Sequence, residues 1–370
     1  MKRIILLFVV MITALMICGC GTSETIQETP APESDAAAAE EQSAAGSSPA
    51  ASSSDTIWLS MATSGNWEDI ARGEIWNEYC DKLAEWSGGK LRIRSYFNGS
   101  LGNDLELIEG AKEGTLSIIN SVPSYQISVV PEAALLDVPG LFDSTAEYNY
   151  FVQNYYMPTL ADFYLNQGLR LLSSSAFDFR VLTANTPVKS VNDLKGLKLR
   201  TMENPYHMAF WQALGASAIS MNFNQVRLSI QQGILQAQEN PLGYMVSSDL
   251  LAVQDQVVLT NHVPMINNFL MNETQYQALS EENKELLDRF FREMNEELVN
   301  RQPDENEKLV KELSGKGINI YDAAEDIKGA VKNTAQPVVI DMLRKDLGED
   351  IVNDYLEKVK QAKEEFASRQ

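Results

Sequence analysis

The chain has 370 residues with 30 Lys or Arg and 51 Asp or Glu, so its formal net charge is −21 at pH 7. This length suggests two domains, and a hydrophobic fraction of 44% is ample for a sizeable core. The acidity argues against nucleic-acid binding, which needs Lys and Arg clusters against phosphate, and against electrostatic docking on anionic lipid.

The N-terminus has the features of a secretion signal. Lys2 and Arg3 precede an apolar run over residues 4–17, which is shorter than the roughly 20 residues of a membrane-spanning helix. The run ends in Ile17-Cys18-Gly19-Cys20, which resembles the bacterial lipobox, whose last Cys receives lipid. We predict a signal peptide over residues 1–19 and lipidation of Cys20, with a plain signal peptide as the alternative. Loss of Lys2 and Arg3 leaves a mature charge of 28 − 51 = −23.

Residues 20–55 are predicted to be a disordered tether. The segment consists largely of Ala, Ser, Glu and Pro, and its low apolar content cannot offset the entropy of ordering. A flexible coil of this length reaches roughly 30–35 Å. A folded body on such a tether could move above a membrane while remaining attached to it.

The folded body is predicted to begin near Thr56 and to alternate strands with helices. Apolar residues spaced three to five apart predict the first amphipathic helix, and Asn103 is a candidate helix cap. This alternation favours α/β layers with largely parallel sheets. The predicted strands are 57–61, 91–96, 116–119, 177–183, 197–202, 218–221 and 234–238; the predicted helices are 67–86, 104–113, 206–214, 224–232 and one from Ser280 that Pro303 kinks or ends.

Signatures of catalysis and of metal binding are missing from the sequence. The two histidines, His207 and His262, do not lie in a metal-binding spacing, and there is no G-x-S-x-G motif and no phosphate-binding loop. Cys80, the only cysteine of the predicted folded body, is expected to be inert in the core. We therefore predict no enzyme activity, no metal and no cofactor, and a hydrolase or lyase is the disfavoured alternative.

Two arginines lie within predicted strands. Arg180 opposes the face of Phe179 and Val181, and Arg200 opposes the face of Leu199, because side chains alternate along a strand. A guanidinium group can hold a carboxylate through two parallel, charge-assisted hydrogen bonds. Taken alone, such an arginine is more often part of a surface or internal ion pair.

Several segments in collinear order over about residues 57–320 resemble the solute-binding proteins of tripartite ATP-independent periplasmic (TRAP) transporters, of the DctP type. The most specific of them is Leu194-Lys195-Gly196-Leu197-Lys198-Leu199-Arg200. The others include Ser87-Gly88-Gly89-Lys90, Asn98-Gly99-Ser100-Leu101-Gly102, Pro139-Gly140-Leu141-Phe142 and Gln238-Glu239-Asn240-Pro241.

The resemblance implies a two-lobed α/β fold with a hinge and a ligand cleft between the lobes. We expect one lobe to comprise residues 56–177 plus about 266–305, and the other to comprise 178–265 plus about 306–370. The resemblance further implies that Arg200 clamps a ligand carboxylate, and that Arg180, Asn240 and Phe223 also contact the ligand.

Departures from the family pattern lie near the expected pocket and leave the ligand open. Gln236-Ala237 replaces the usual Asp-Gly, and Ala62 stands where some relatives place a polar contact, with Thr63, Ser64 and Asn66 nearby. Arg227 replaces a common Tyr; it could be a third positive group, but a solvated helix position is favoured.

The expected function is that of an extracytoplasmic, lipid-anchored binding protein. It would capture a small organic carboxylate, either a C4-dicarboxylate or a sugar acid, and deliver it to the membrane permease subunits of a TRAP transporter. The alternative on the same scaffold is a ligand-sensing receptor of a signalling system.

Overall fold

The computed structural model describes residues 56–67 and 71–369. The predicted signal peptide, Cys20 and the predicted tether lie outside these residues. Within the described part of the chain, no helix is both long enough and apolar enough to cross a membrane.

The fold is α/β and contains two sheets. The strands are β1 (Ile57–Ala62), β2 (Leu91–Tyr96), β3 (Ile118–Ser121), β4 (Leu169–Phe179), β5 (Val181–Ala184), β6 (Lys198–Thr201), β7 (Ser217–Ser220), β8 (Ala237–Asn240), β9 (Gln256–Leu259), β10 (Pro264–Asn272) and β11 (Asn319–Asp322). The first sheet has the order β2-β1-β3-β10-β4, and the second has the order β11-β9-β5-β8-β6-β7.

The helices surround both sheets. They are α1 (Ala71–Trp86), α2 (Asp104–Glu113), α3 (Pro123–Gln126), α4 (Thr145–Phe151), α5 (Met157–Leu165), α6 (Pro205–Ala213), α7 (Val226–Gln231), α8 (Leu242–Ser247), α9 (Glu273–Gln277), α10 (Glu281–Gly315), α11 (Glu325–Ala330), α12 (Gln336–Leu347) and α13 (Glu349–Ser368). The C-terminal helices reach both halves of the chain, because α13 packs on α4 and α12 packs on α6. The exact boundaries of the lobes stay a prediction.

Each sheet is mixed rather than all parallel. In the first, β10 runs antiparallel to β3 and β4, and in the second, β5 runs antiparallel to β8 and β9. These two strands are the ones that the chain enters directly from the other sheet, since only Arg180 separates β4 from β5 and only residues 260–263 separate β9 from β10. A direct entry needs no helical crossover, so the strand can run against its neighbours.

Helix α10 is a further connection between the two sheets. It packs against α1 and β4 of the first half and also contacts α8 and β11 of the second. The helix continues through Pro303 to Gly315, so Pro303 does not end it.

Helix α2 begins at the inner edge of the first sheet and has a complete N-terminal cap. The Asn103 Oδ1 accepts hydrogen bonds from the backbone N–H groups of Leu105 (3.0 Å) and Glu106 (3.2 Å). The Glu106 carboxylate in turn accepts from the Asn103 N–H at 2.8 Å. This reciprocal arrangement fixes where the helix starts and therefore where its first residue, Asp104, points.

Cys80 lies on α1 and is partly buried against the aromatic core of the first sheet. Burial, with a smaller contribution from Asp81, raises the pKa of its thiol to about 12. The thiol therefore stays protonated and unreactive at neutral pH.

Candidate ligand-binding site

A cavity of about 440 Å³, measured with its open mouth, lies between the two sheets. All four residues that the sequence predicted as ligand contacts line it. The lining residues are Thr63, Ser64, Gly65, Asp104, Asn120, Ser121, Val122, Tyr125, Arg180, Arg200, Met202, Phe223, Asn240, Tyr244 and Met265.

Arg200 lies on β6 and is fully buried. Its Nε donates to the carbonyl oxygen of Met221 at 2.8 Å, and one terminal nitrogen lies 3.4 Å from the Tyr125 hydroxyl. The guanidinium carbon is 5.8 Å from the ring centroid of Phe223. Among the described residues, no carboxylate lies within 4.0 Å of this guanidinium, so part of its hydrogen-bonding capacity is available to a ligand.

Arg180 is also buried, but its guanidinium group is paired with a protein carboxylate. Its Nε and Nη2 donate to the two carboxylate oxygens of Glu239, with an Nη2–Oε1 distance of 2.8 Å. The same Nη2 lies 2.8 Å from the Glu239 carbonyl oxygen and 3.1 Å from the Asn240 Oδ1. The two charges form a buried pair, which leaves this arginine with little net charge to offer.

Glu239 is ionised because its neighbours outweigh its burial. Burial would raise the pKa of this carboxyl, but the charge of Arg180 and hydrogen bonds from His262 and Arg180 hold the pKa well below its usual range. The His262 Nε2 lies 3.1 Å from the Glu239 Oε2, and its Nδ1 lies 2.8 Å from the Thr260 hydroxyl. Burial lowers the pKa of His262, although Glu239 opposes this effect.

Asn240 is the last residue of β8, and both the oxygen and the nitrogen of its side-chain amide are hydrogen-bonded. Its Oδ1 accepts from Arg180, and its Nδ2 donates to the Gln238 Oε1 at 2.8 Å. Phe223 is half-buried in a short 3₁₀ turn and faces Arg200 across the wall of the cavity. The structure thus brings Arg200, Arg180, Asn240 and Phe223 to one place.

Asp104 and Tyr244 line the same cavity, and the sequence did not mark either as a ligand contact. Burial raises the pKa of the Asp104 carboxyl, while hydrogen bonds from Ser64 and Ser121 and the charge of Arg200 lower it. The sequence signal that could have identified Asp104 was the Asn103 cap, because it directs the first helical residue inward. Tyr244, four residues after Asn240, carried no comparable signal.

Arg227 is not a lining residue of the cavity. It pairs with Asp249, with an Nη2–Oδ2 distance of 2.7 Å, and 42% of its side chain is exposed. Thr63 and Ser64, by contrast, line the cavity beside Ala62. The described residues also contain no cluster of three or more His, Cys, Asp or Glu side chains that could hold a metal ion.

Two α/β lobes around a polar cleft define the class of hinged solute-binding proteins. The model of the family "Bacterial extracellular solute-binding protein, family 7" (DctP) matches residues 64–346, so the chain belongs to this family of TRAP-transporter binding proteins. The predicted resemblance and the two-lobed fold are confirmed. The family functions in transport, so the protein is not an enzyme.

Individual relatives and solved structures agree with this assignment. A "Solute-binding protein" of Verminephrobacter eiseniae is 29% identical over 72% of this chain and 79% of its own length. The "2,3-diketo-L-gulonate-binding periplasmic protein" of Escherichia coli K12 is 30% identical over 57% of this chain and 64% of its own length. The crystal structure of the sugar acid binding protein from Advenella mimigardefordensis in complex with galactonate superposes with a TM-score of 0.78 at 24% identity, covering 83% of this chain and 99% of that one.

Proposed function

We propose that this TRAP binding protein captures a monocarboxylate that carries several hydroxyl groups, such as a sugar acid. The observation that carries the proposal is the unequal use of the two arginines in the cavity. Arg180 is paired with Glu239, whereas Arg200 has no protein carboxylate within 4.0 Å among the described residues. One available guanidinium group suits one ligand carboxylate.

Arg200 is the proposed carboxylate clamp. Its Nε is fixed by the Met221 carbonyl oxygen, so the plane of the guanidinium is set before ligand arrives. A charge-assisted pair in a buried site is strong because little water competes for the donors. Asn240, held by Arg180, is proposed to contact the ligand at a second point, and Phe223 to cover it.

Asp104 argues for hydroxyl groups on the rest of the ligand. A carboxylate in the wall of the cavity accepts hydrogen bonds from ligand hydroxyls, as Asp104 does from Ser64 and Ser121. A second ligand carboxylate near Asp104 would place two carboxyl groups in one buried site, where both cannot be ionised without a large cost, and Arg180 has little net charge to offset it. The cavity therefore favours a sugar acid over a C4-dicarboxylate.

Two of the similar proteins support this choice. The Escherichia coli relative is named for 2,3-diketo-L-gulonate, and the Advenella structure contains galactonate. Both ligands are sugar acids with a single carboxylate. The alternative of a sensory receptor has no observation in its favour.

Calorimetry with three C6 compounds tests the proposal. D-galactonate has one carboxylate, galactarate has two, and galactitol has none, while the hydroxyl pattern is related in all three. We expect the order galactonate, then galactarate, with galactitol undetected. Succinate is the comparison for the dicarboxylate hypothesis. Tighter binding of succinate than of any sugar acid would overturn the proposal.

We further propose that Cys20 carries lipid and holds the protein at the outer face of the membrane. Cys20 lies outside the described residues, and the support is the short apolar run ending in Gly19-Cys20. Cys20→Ala should move the protein from the membrane fraction to the soluble fraction. Retention of this variant in membranes would exclude lipidation as the anchor.

A further inference from the structure

A third buried arginine, Arg72, reaches the cavity through one of its lining residues. Arg72 lies on α1 in the first half of the chain and is only 5% exposed. Its Nη1 donates to the hydroxyl of Tyr244 at 3.2 Å, and Tyr244 lies on α8 in the second half. Arg72 is not a lining residue, so the hydrogen-bonded route from its guanidinium group to the cavity runs through Tyr244.

Among the described residues, aromatic rings rather than carboxylates lie against the Arg72 guanidinium. Its central carbon lies 3.6 Å from the ring centroid of Phe177, 5.3 Å from that of Tyr244 and 5.4 Å from that of Trp67. Its Nε is buried without a hydrogen-bond partner among the described residues. Asp178 influences Arg72 electrostatically, but its Oδ1 is bonded to the Phe179 N–H at 2.7 Å. With no ion-pair partner among the described residues, this buried cation is costly, which favours a role beyond packing.

The bond from Arg72 determines where the Tyr244 hydrogen can point. Arginine is only a donor, so the phenol oxygen is the acceptor and the phenol hydrogen must be directed elsewhere. No acceptor for this hydrogen occurs among the hydrogen bonds of the described residues. Since Tyr244 lines the cavity, its hydrogen is available to a ligand oxygen.

We infer that Tyr244 donates a hydrogen bond to the bound ligand and that Arg72 is the positioning residue that orients and polarises this donor. The inference rests on the proposed function, because it assumes an oxygen-rich ligand in the same cavity. The ligand atom would be a hydroxyl, carbonyl or carboxylate oxygen. A donor already bonded by a cation gives a stronger hydrogen bond than an isolated phenol.

The surroundings of Tyr244 hold α8 in the position that this bond needs. The Asn66 side chain donates to the Ser247 carbonyl oxygen at the end of α8, at 3.3 Å. A Cβ atom on Gly65 would lie 2.9 Å from the Tyr244 hydroxyl, so only glycine lets the loop approach so closely. Both contacts join the first half of the chain to α8, so the oriented donor is completed when the two lobes are together.

A double-mutant cycle measured by calorimetry tests the inference, with D-galactonate as the probe and succinate in its place if galactonate does not bind. Tyr244→Phe and Arg72→Met should each lower affinity about 3- to 20-fold, the value of one hydrogen bond to an anionic or polar ligand. The affinity of the double variant should be no lower than that of the single variant that binds more weakly, because both changes remove the same hydrogen bond to the ligand. Arg72→Lys, which keeps a donor, should restore part of the affinity.

The competing possibility is that Arg72 only packs the protein. In that case Arg72→Met would change the melting temperature, and either Tyr244→Phe would bind like the wild type or the effects of the two changes on affinity would add. Either result would overturn the inference while leaving the proposed function intact. If wild type binds neither galactonate nor succinate, the proposed function fails and the inference fails with it.

Discussion

At the scale of single residues, burial and partners distinguish side chains of the same type. Arg180 and Arg200 are both buried at the cavity, yet one is paired with Glu239 and the other is held by a carbonyl oxygen and a phenol. Strand alternation could place both side chains opposite the core, but it could not show which one had a partner.

The first prediction concerns the shape of the Arg200 side chain. Arg200→Lys keeps the charge but loses the planar fork and the Met221 bond, so galactonate affinity should fall about 10-fold or more. Removing one partner of a buried pair costs about 2–5 kcal/mol, so Arg200→Ala should do more harm, on the order of 30-fold to several-thousand-fold.

Calorimetry on matched variants checks this prediction. Lys198→Ala removes an exposed charge two residues away on the same strand and should leave affinity unchanged. Arg180→Ala should weaken binding indirectly, because Asn240 loses the hydrogen bond that holds it. It should also destabilise the fold, because Glu239 is left unpaired. Wild-type affinity in Arg200→Lys would exclude a bidentate clamp at this position.

The second prediction concerns pH and His262. Burial lowers the pKa of His262 below its ordinary value of 6.5, so the folded protein keeps the imidazole neutral where the unfolded chain protonates it. The stability that this provides is present above about pH 6.5 and is lost as pH falls. The melting temperature of the wild type should therefore drop more steeply between pH 6.5 and 5 than that of His262→Gln. If the melting temperatures of the two proteins fall equally over this pH range, the lowered pKa of His262 does not contribute to stability.

Site residues that belong to sequence motifs were predictable, and those that depend on tertiary neighbours were not. The four predicted residues lie in segments whose pattern marks the cleft, and the structure places them together, although their contact with ligand stays a prediction. Asp104 looked like an ordinary helix start, and Arg72 like an ordinary helix residue. Their roles depend on what the second half of the chain brings against them.

At the scale of elements, helix α2 connects a capping motif to the cavity. The Asn103 cap fixes the first turn, and Asp104 in that turn lines the cavity. Asn103→Ala should cost about 1 kcal/mol of stability and should also weaken galactonate binding, because Asp104 loses its fixed position.

A second cap provides the control for this prediction. The Ser280 hydroxyl accepts from the Asn283 N–H at 3.2 Å at the start of α10, which is not part of the cavity lining. Ser280→Ala should cost a similar free energy of unfolding, measured by urea denaturation, with unchanged affinity. Equal effects of both variants on binding would show that α2 has no special connection to the ligand.

Element boundaries were predictable where local signals were strong and shifted where tertiary structure decided them. Helix 104–113 agrees with α2 because Asn103 and Gly114 mark both of its ends. The predicted strand 177–183 is instead two strands in different sheets, divided at Arg180. Its alternation of side chains continues across the division, so no periodicity in the sequence could reveal the change of sheet.

At the scale of the whole molecule, the links between the lobes suggest motion. Direct crossings at Arg180 and at residues 260–263 join the two sheets, with α10 alongside. Non-covalent contacts also close the cleft: the Asn204 side chain donates to the Ser124 carbonyl oxygen at 3.0 Å, and Arg200 contacts Tyr125. These contacts can break without breaking the crossings, as in hinge closure.

The fourth prediction is that ligand favours this closed arrangement. Small-angle scattering should give a smaller radius of gyration for the protein saturated with galactonate than for the protein without ligand. Galactitol, which lacks the carboxylate, is the matched control and should leave the radius unchanged. A tight-binding acid that does not change the radius would exclude closure as the response to ligand.

The shielded thiol of Cys80 makes such motion convenient to observe. Because burial keeps this sulfur protonated, a recombinant body that starts after Cys20 should react very slowly with maleimide dyes. Cysteines introduced at exposed positions on either half, such as Lys112 and Ser217, could then accept a fluorophore pair with the native residue left in place. Single-molecule energy transfer would follow the opening and closing of an otherwise unaltered protein.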